Sequence, residues 1–75
     1  MRTSAVRFLR LKAEIDTDKA VQAFGISKSM LYKIELGHRL PSAKVIYKMS
    51  ELYHCTIDEV YKALGVTKIA NKNLN

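Results

Sequence analysis

One cysteine, one proline, three glycines and no tryptophan occur in 75 residues. The lone Cys55 excludes an internal disulfide. With no secretory pattern at the start of the chain, a reducing cytoplasm is the expected compartment. No apolar run approaches the roughly 18 residues of a membrane span. Sustained period-two alternation is missing, as are Asn-Gly and Asp-Gly turns, which argues against strands. There is no glycine-rich phosphate loop and no nucleophile elbow. The two histidines, His38 and His54, are far apart, and the neighbouring His54 and Cys55 side chains should diverge, which is poor geometry for a shared metal. No enzyme, cofactor or metal is expected. Acidic residues are also few: seven Asp and Glu stand against thirteen Lys and Arg, a net charge of +6. On so small a body that field attracts a polyanion. Nucleic acid is the first such partner and an anionic membrane the second, with a solubilising surface the plain alternative. The basic residues are spread over several segments rather than along one amphipathic face, which disfavours the membrane.

What remains is a helix-forming chain. Apolar residues make up 48% and charged residues 27%, the balance of a soluble globular protein. A chain this short buries only about 60% of its unfolded surface, so its core must be compact and a large substrate cavity is not expected. Capping residues divide it into five short helices. Ser4 to Ala13 carries the stripe Val6, Leu9 and Ala13. Asp16 caps a second helix, Thr17 to Phe24, with Ala20, Val21 and Phe24 inward and Gly25 as its stop. Ser27 caps a third, Lys28 to Leu36, with Leu31 and Ile34 inward and Gly37 as its stop. Ser42 caps a fourth, Ala43 to Tyr53, with Val45, Ile46, Met49 and Leu52 inward. Thr56 to Glu59 reads as a capping box opening a fifth helix, Ile57 to Leu64. Residues 1–65 form one domain on this reading, and residues 66–75 a polar tail.

Residues 17–36 are the informative stretch. Two short helices meet across a tight turn at Gly25, and apolar residues anchor the second from beneath. This is the physical recipe of a helix-turn-helix, in which the second helix offers its outer face to the major groove of duplex DNA. With Leu31 and Ile34 inward, Lys28, Ser29, Tyr32 and Lys33 point outward. All four donate hydrogen bonds and none is acidic. Lysine suits guanine O6 and N7, serine several base edges, and tyrosine a phosphate or a thymine methyl. An ordinary solvated helix face is the competing explanation.

Residues 25–37, Gly-Ile-Ser-Lys-Ser-Met-Leu-Tyr-Lys-Ile-Glu-Leu-Gly, followed by Arg39 and Pro41-Ser42, resemble the Cro/CI-type (XRE) helix-turn-helix family of phage and bacterial repressors. Leu52 to Val60 resembles that family's closing segment, and the similarity extends from about Val6 to Leu64. The resemblance implies an all-α, five-helix Cro/CI repressor-like domain. It implies base reading by Lys28, Ser29 and Lys33, with Tyr32 beside them. It implies DNA-backbone contacts from Arg10, Thr17, Ser27, His38 and Arg39, and an ion pair, partly buried, between Arg10 and Glu35.

Four departures stand out. Thr17 replaces a usual glutamine, which shortens a phosphate contact and the brace that residue gives to the third helix. Leu36 replaces a usual asparagine. Glu14 replaces a usual glycine, so the first helix is expected to run longer or turn differently. Ala20 and Val21 exchange the usual large-then-small order.

The function implied is sequence-specific binding of double-stranded DNA by a phage or prophage repressor acting on a palindromic operator. A homodimer would then use the surface of the fourth and fifth helices, with Tyr53, Tyr61 and the tail, or form only on DNA. The alternative is a small antirepressor that binds a partner repressor protein. Loss of the usual polar residues at 17 and 36, with Met30, Tyr32 and Leu36 forming an apolar surface, fits that second reading.

Overall fold

Four short polar side chains and one threonine decide where this chain turns helical. Ser4, Asp16, Ser27, Ser42 and Thr56 all have extended backbone, and each accepts a hydrogen bond from the amide three residues on. The computed structural model describes residues 4–65, and among these it has five helices and no strand. They are α1 (Ala5–Lys12), α2 (Thr17–Phe24), α3 (Lys28–Leu36), α4 (Ala43–Leu52) and α5 (Ile57–Leu64). Ser4, Ala13 and Tyr53, read from sequence as helical, are the caps of their helices. The capping box is complete: Glu59 accepts from the Thr56 amide at 2.8 Å, and Thr56 Oγ1 accepts from the Glu59 amide at 3.0 Å. The expected polar tail lies outside the described residues.

Helix ends follow equally local rules. Gly25 closes α2 with φ 69° and Gly37 closes α3 with φ 85°, left-handed values that glycine adopts without a side-chain clash. Two other left-handed residues are not glycine, Glu14 at φ 60° and His54 at φ 56°. Each sits two residues past its helix in a paired closure. The Glu14 amide bonds Leu11 and the Ile15 amide bonds Arg10, while the His54 amide bonds Glu51 and the Cys55 amide bonds Ser50. Helix α1 therefore does not run on through Glu14. The turn expected of a glycine is made by glutamate.

Helix α4 packs on α2 and α5, α1 packs on α3 and α5, and α2 packs on α3. The core they enclose comprises Val6, Ile15, Ala20, Phe24, Leu31, Ile34, Val45, Ile46, Met49, Tyr53 and Val60. Fully burying a side chain such as Leu31 or Ile34 is worth about 1.5–3 kcal/mol, so α3 is held from below more firmly than its own length would allow. Tyr53 corrects an expectation. It is buried at the end of α4, with its ring edge-on to Phe24 at 5.7 Å, and offers nothing to a dimer surface.

Candidate nucleic-acid interface

Helices α2 and α3 are joined by Gly25, Ile26 and Ser27. The amides of Gly25 and Ile26 both turn back onto the Val21 carbonyl, and half-buried Ile26 packs against the core. The chain thus leaves α2 in a fixed direction, and Ser27 starts α3 at once by accepting from the Met30 amide at 3.1 Å. Helix α3 then has two distinct sides. Leu31, Ile34 and Glu35 are buried. Lys28, Ser29, Tyr32 and Lys33 are all exposed, forming a polar outer face with no carboxylate of its own. Met30 is half-buried against the core rather than part of an outer apolar surface.

Below that face lies a buried ionic cluster. Arg10 Nε donates to Glu35 Oε2 at 2.7 Å, and the Arg10 Nη1 donates to the Ile15 carbonyl at 3.0 Å. Arg7 Nε donates to the other oxygen, Glu35 Oε1, at 3.1 Å. The Glu35 side chain is 1% exposed, Arg10 7% and Arg7 40%. Arg10 was expected to touch a phosphate as well as Glu35. Its guanidinium is enclosed and directed at Glu35 and Ile15, so a phosphate has almost no Arg10 surface to meet. Arg7, which lies off the apolar stripe of α1, is the half-exposed arginine of this cluster. Two guanidinium charges against one carboxylate leave the junction of α1 and α3 net positive.

The remaining positions lie around α3. Thr17 opens α2 and is half-buried. Ser27 is exposed; its Oγ accepts from Met30, and the hydroxyl proton is free to donate elsewhere. His38 and Arg39 are exposed beyond Gly37. Their amides both return to the Lys33 carbonyl, at 2.8 and 3.3 Å, so hydrogen-bond donation to a partner falls to their side chains. Leu36 and Leu40 flank them, 63% and 67% exposed.

A contact invisible to sequence reading spans the turn. Lys28 Nζ lies 3.2 Å from Asp18 Oδ1. The hydrogen bond to Asp18, then its charge, holds the Lys28 ammonium above the ordinary lysine range. In the core, burial and then the Glu35 carboxylate hold the Tyr53 phenol well above the ordinary tyrosine value, and its hydroxyl meets no hydrogen-bond partner. Among the described residues, no three His, Cys, Asp or Glu side chains are grouped to hold a metal ion, and no helix is long and apolar enough to cross a membrane.

This arrangement can donate hydrogen bonds and present positive charge along one short helix. The model of the family described as helix-turn-helix matches residues 9–60, which runs from α1 to the second turn of α5 and exceeds half of the chain. Comparison with curated proteins and with solved structures gives no match.

Proposed function

Because this chain belongs to the Cro/CI-type (XRE) helix-turn-helix family of DNA-binding transcriptional regulators, we propose that it is a sequence-specific repressor of the phage or prophage kind, acting on a duplex operator in the cytoplasm. The observation that carries the reading is the outer side of α3. Lys28, Ser29, Tyr32 and Lys33 are open to solvent while Leu31, Ile34 and Glu35 fix the helix from within. Lys28, Ser29 and Lys33 read base edges in the major groove, with Tyr32 at their side. Thr17, Ser27, His38 and Arg39 hold the phosphates that set the register. Arg7 takes the place of Arg10 among the phosphate-facing cations, because it is the arginine of the ionic cluster that solvent reaches. Two copies on a palindrome would place half-sites about 34 Å apart.

The test is a binding selection on random duplex DNA at two salt concentrations. Enrichment of a palindrome, with affinity falling at a log–log slope of about −0.9 per phosphate contacted, supports the reading. One observation favours a second reading, in which the chain modulates a partner repressor: Leu36 and Leu40 expose apolar surface at the end of α3. In that case the selection enriches nothing, and binding to the partner protein responds little to salt.

A further inference from the structure

Resting on the reading that Lys28 contacts a base edge, we infer that Asp18 is a specificity-determining residue, which disfavours phosphate contact by the Lys28 ammonium and leaves it available to bases. The two side chains meet at 3.2 Å across the α2–α3 turn, one from the first turn of each helix. Their placement is electrostatically unequal. A carboxylate in the first turn of α2 is favoured by that helix's positive end, whereas a lysine opening α3 is disfavoured by the same end of its own helix. Asp18 offsets this and restrains a long, flexible side chain beside the groove-facing surface. The brace expected from a glutamine at position 17 is absent here, and the Lys28–Asp18 pair crosses the same turn instead.

The bias toward bases follows from charge and donor count. An ammonium has three N–H donors, so one can stay with Asp18 while two meet the acceptors O6 and N7 of a guanine. A guanine edge is neutral. A phosphate approaching Lys28 carries a full negative charge into the neighbourhood of the Asp18 carboxylate and is repelled by it. Asp18 therefore weakens non-specific binding, which is mostly phosphate contact, more than it weakens binding to the preferred site. Both side chains are well exposed, 56% for Lys28 and 75% for Asp18, so solvent screens the effect and its size is that of a surface pair.

The experiment measures affinity for the selected duplex and for a scrambled duplex in wild type, D18N, K28A and D18N/K28A, with D58N as a control. D58N removes an exposed carboxylate of equal charge from α5. D18N should bind scrambled duplex roughly two- to fivefold more tightly and the selected one by less, lowering the specificity ratio. Its salt slope on scrambled duplex should steepen by about 0.9, one phosphate contact. The ratio should be unmoved by D58N, and unmoved by D18N once Lys28 is alanine. In the free protein the Lys28 ammonium should titrate closer to an ordinary lysine in D18N, as read by NMR. An unchanged ratio in D18N, an equal fall in D58N, or persistence of the D18N effect without Lys28 overturns the inference while sparing the DNA reading. A wild type that enriches no duplex overturns the DNA reading itself, and the inference with it.

Discussion

Glu14 occupies a backbone conformation that a side chain opposes. Its φ of 60° places it where an L-residue costs roughly 1–2 kcal/mol, and glycine escapes that clash at the expense of more freedom in the unfolded chain. Glu14 is exposed, and what the turn draws from it is its amide bond to Leu11. Glu14→Gly should therefore stabilise the domain by about 0.5–1 kcal/mol, read as a higher urea midpoint at unchanged slope. A lower midpoint would mean that the glutamate side chain makes a contribution the geometry does not reveal. The caps at Ser4, Asp16, Ser27, Ser42 and Thr56 were readable from sequence because a cap bonds only to its own next turn. At Glu14 the family comparison marked a departure without fixing its outcome, because a glutamate side chain itself gives no local sign of left-handed backbone.

Between elements, the α1–α3 junction depends on one carboxylate. Glu35 is buried and shared by Arg10 and Arg7, the first enclosed and the second half-exposed. Removing one member of an enclosed pair leaves an uncompensated charge and costs about 3–5 kcal/mol, whereas a partly exposed pair is worth about 1 kcal/mol or less. Arg10→Met should accordingly be severe and Arg7→Met mild. The double variant Arg10→Met, Glu35→Met should lose less than the sum of its single changes. Urea unfolding of the four proteins measures the coupling, and additivity within error would show that the cluster does not act as a unit. The Arg10–Glu35 contact followed from a family resemblance. The presence of Arg7 in the cluster and of Asp18 on Lys28 did not, since both are polar residues whose partners come from another helix, and helical spacing says only that such residues face away from the apolar stripe. The outer face of α3 was legible for the same reason that it is useful: Leu31 and Ile34 dictate which way everything else on that helix points.

At the scale of the whole molecule, the core combines aliphatic packing with one polar misfit. Tyr53 is buried at the junction of α4 with the rest of the fold, and its hydroxyl has no hydrogen-bond partner. The sequence reading placed it on a dimer surface of the fourth and fifth helices, and the packing of its ring against Phe24 puts it in the core instead. Burial of the unpaired hydroxyl opposes folding, so Tyr53→Phe should leave neutral-pH stability equal or raise it by about 1 kcal/mol. The two proteins should diverge further in alkali. The folded state keeps the phenolic proton above pH 10.0, the ordinary tyrosine value, while the unfolded chain releases it. Unfolding then sheds a proton, and stability falls as pH rises past that point. Wild type should lose stability above about pH 10 faster than Tyr53→Phe, measured by denaturant midpoints from pH 8 to 11. Parallel curves would mean that the phenol is solvated after all.

The five helices run only eight to ten residues each. Isolated helices shorter than about 12–15 residues barely form in water. A peptide cut to residues 17–36 would lack α1, on which α3 packs, and with it Arg10 and Arg7, the two partners of Glu35. The segment that faces the groove is thus not a transplantable cassette. Its shape is on loan from the rest of the domain, and any change that loosens the far side, α5 included, withdraws the reading surface together with the fold.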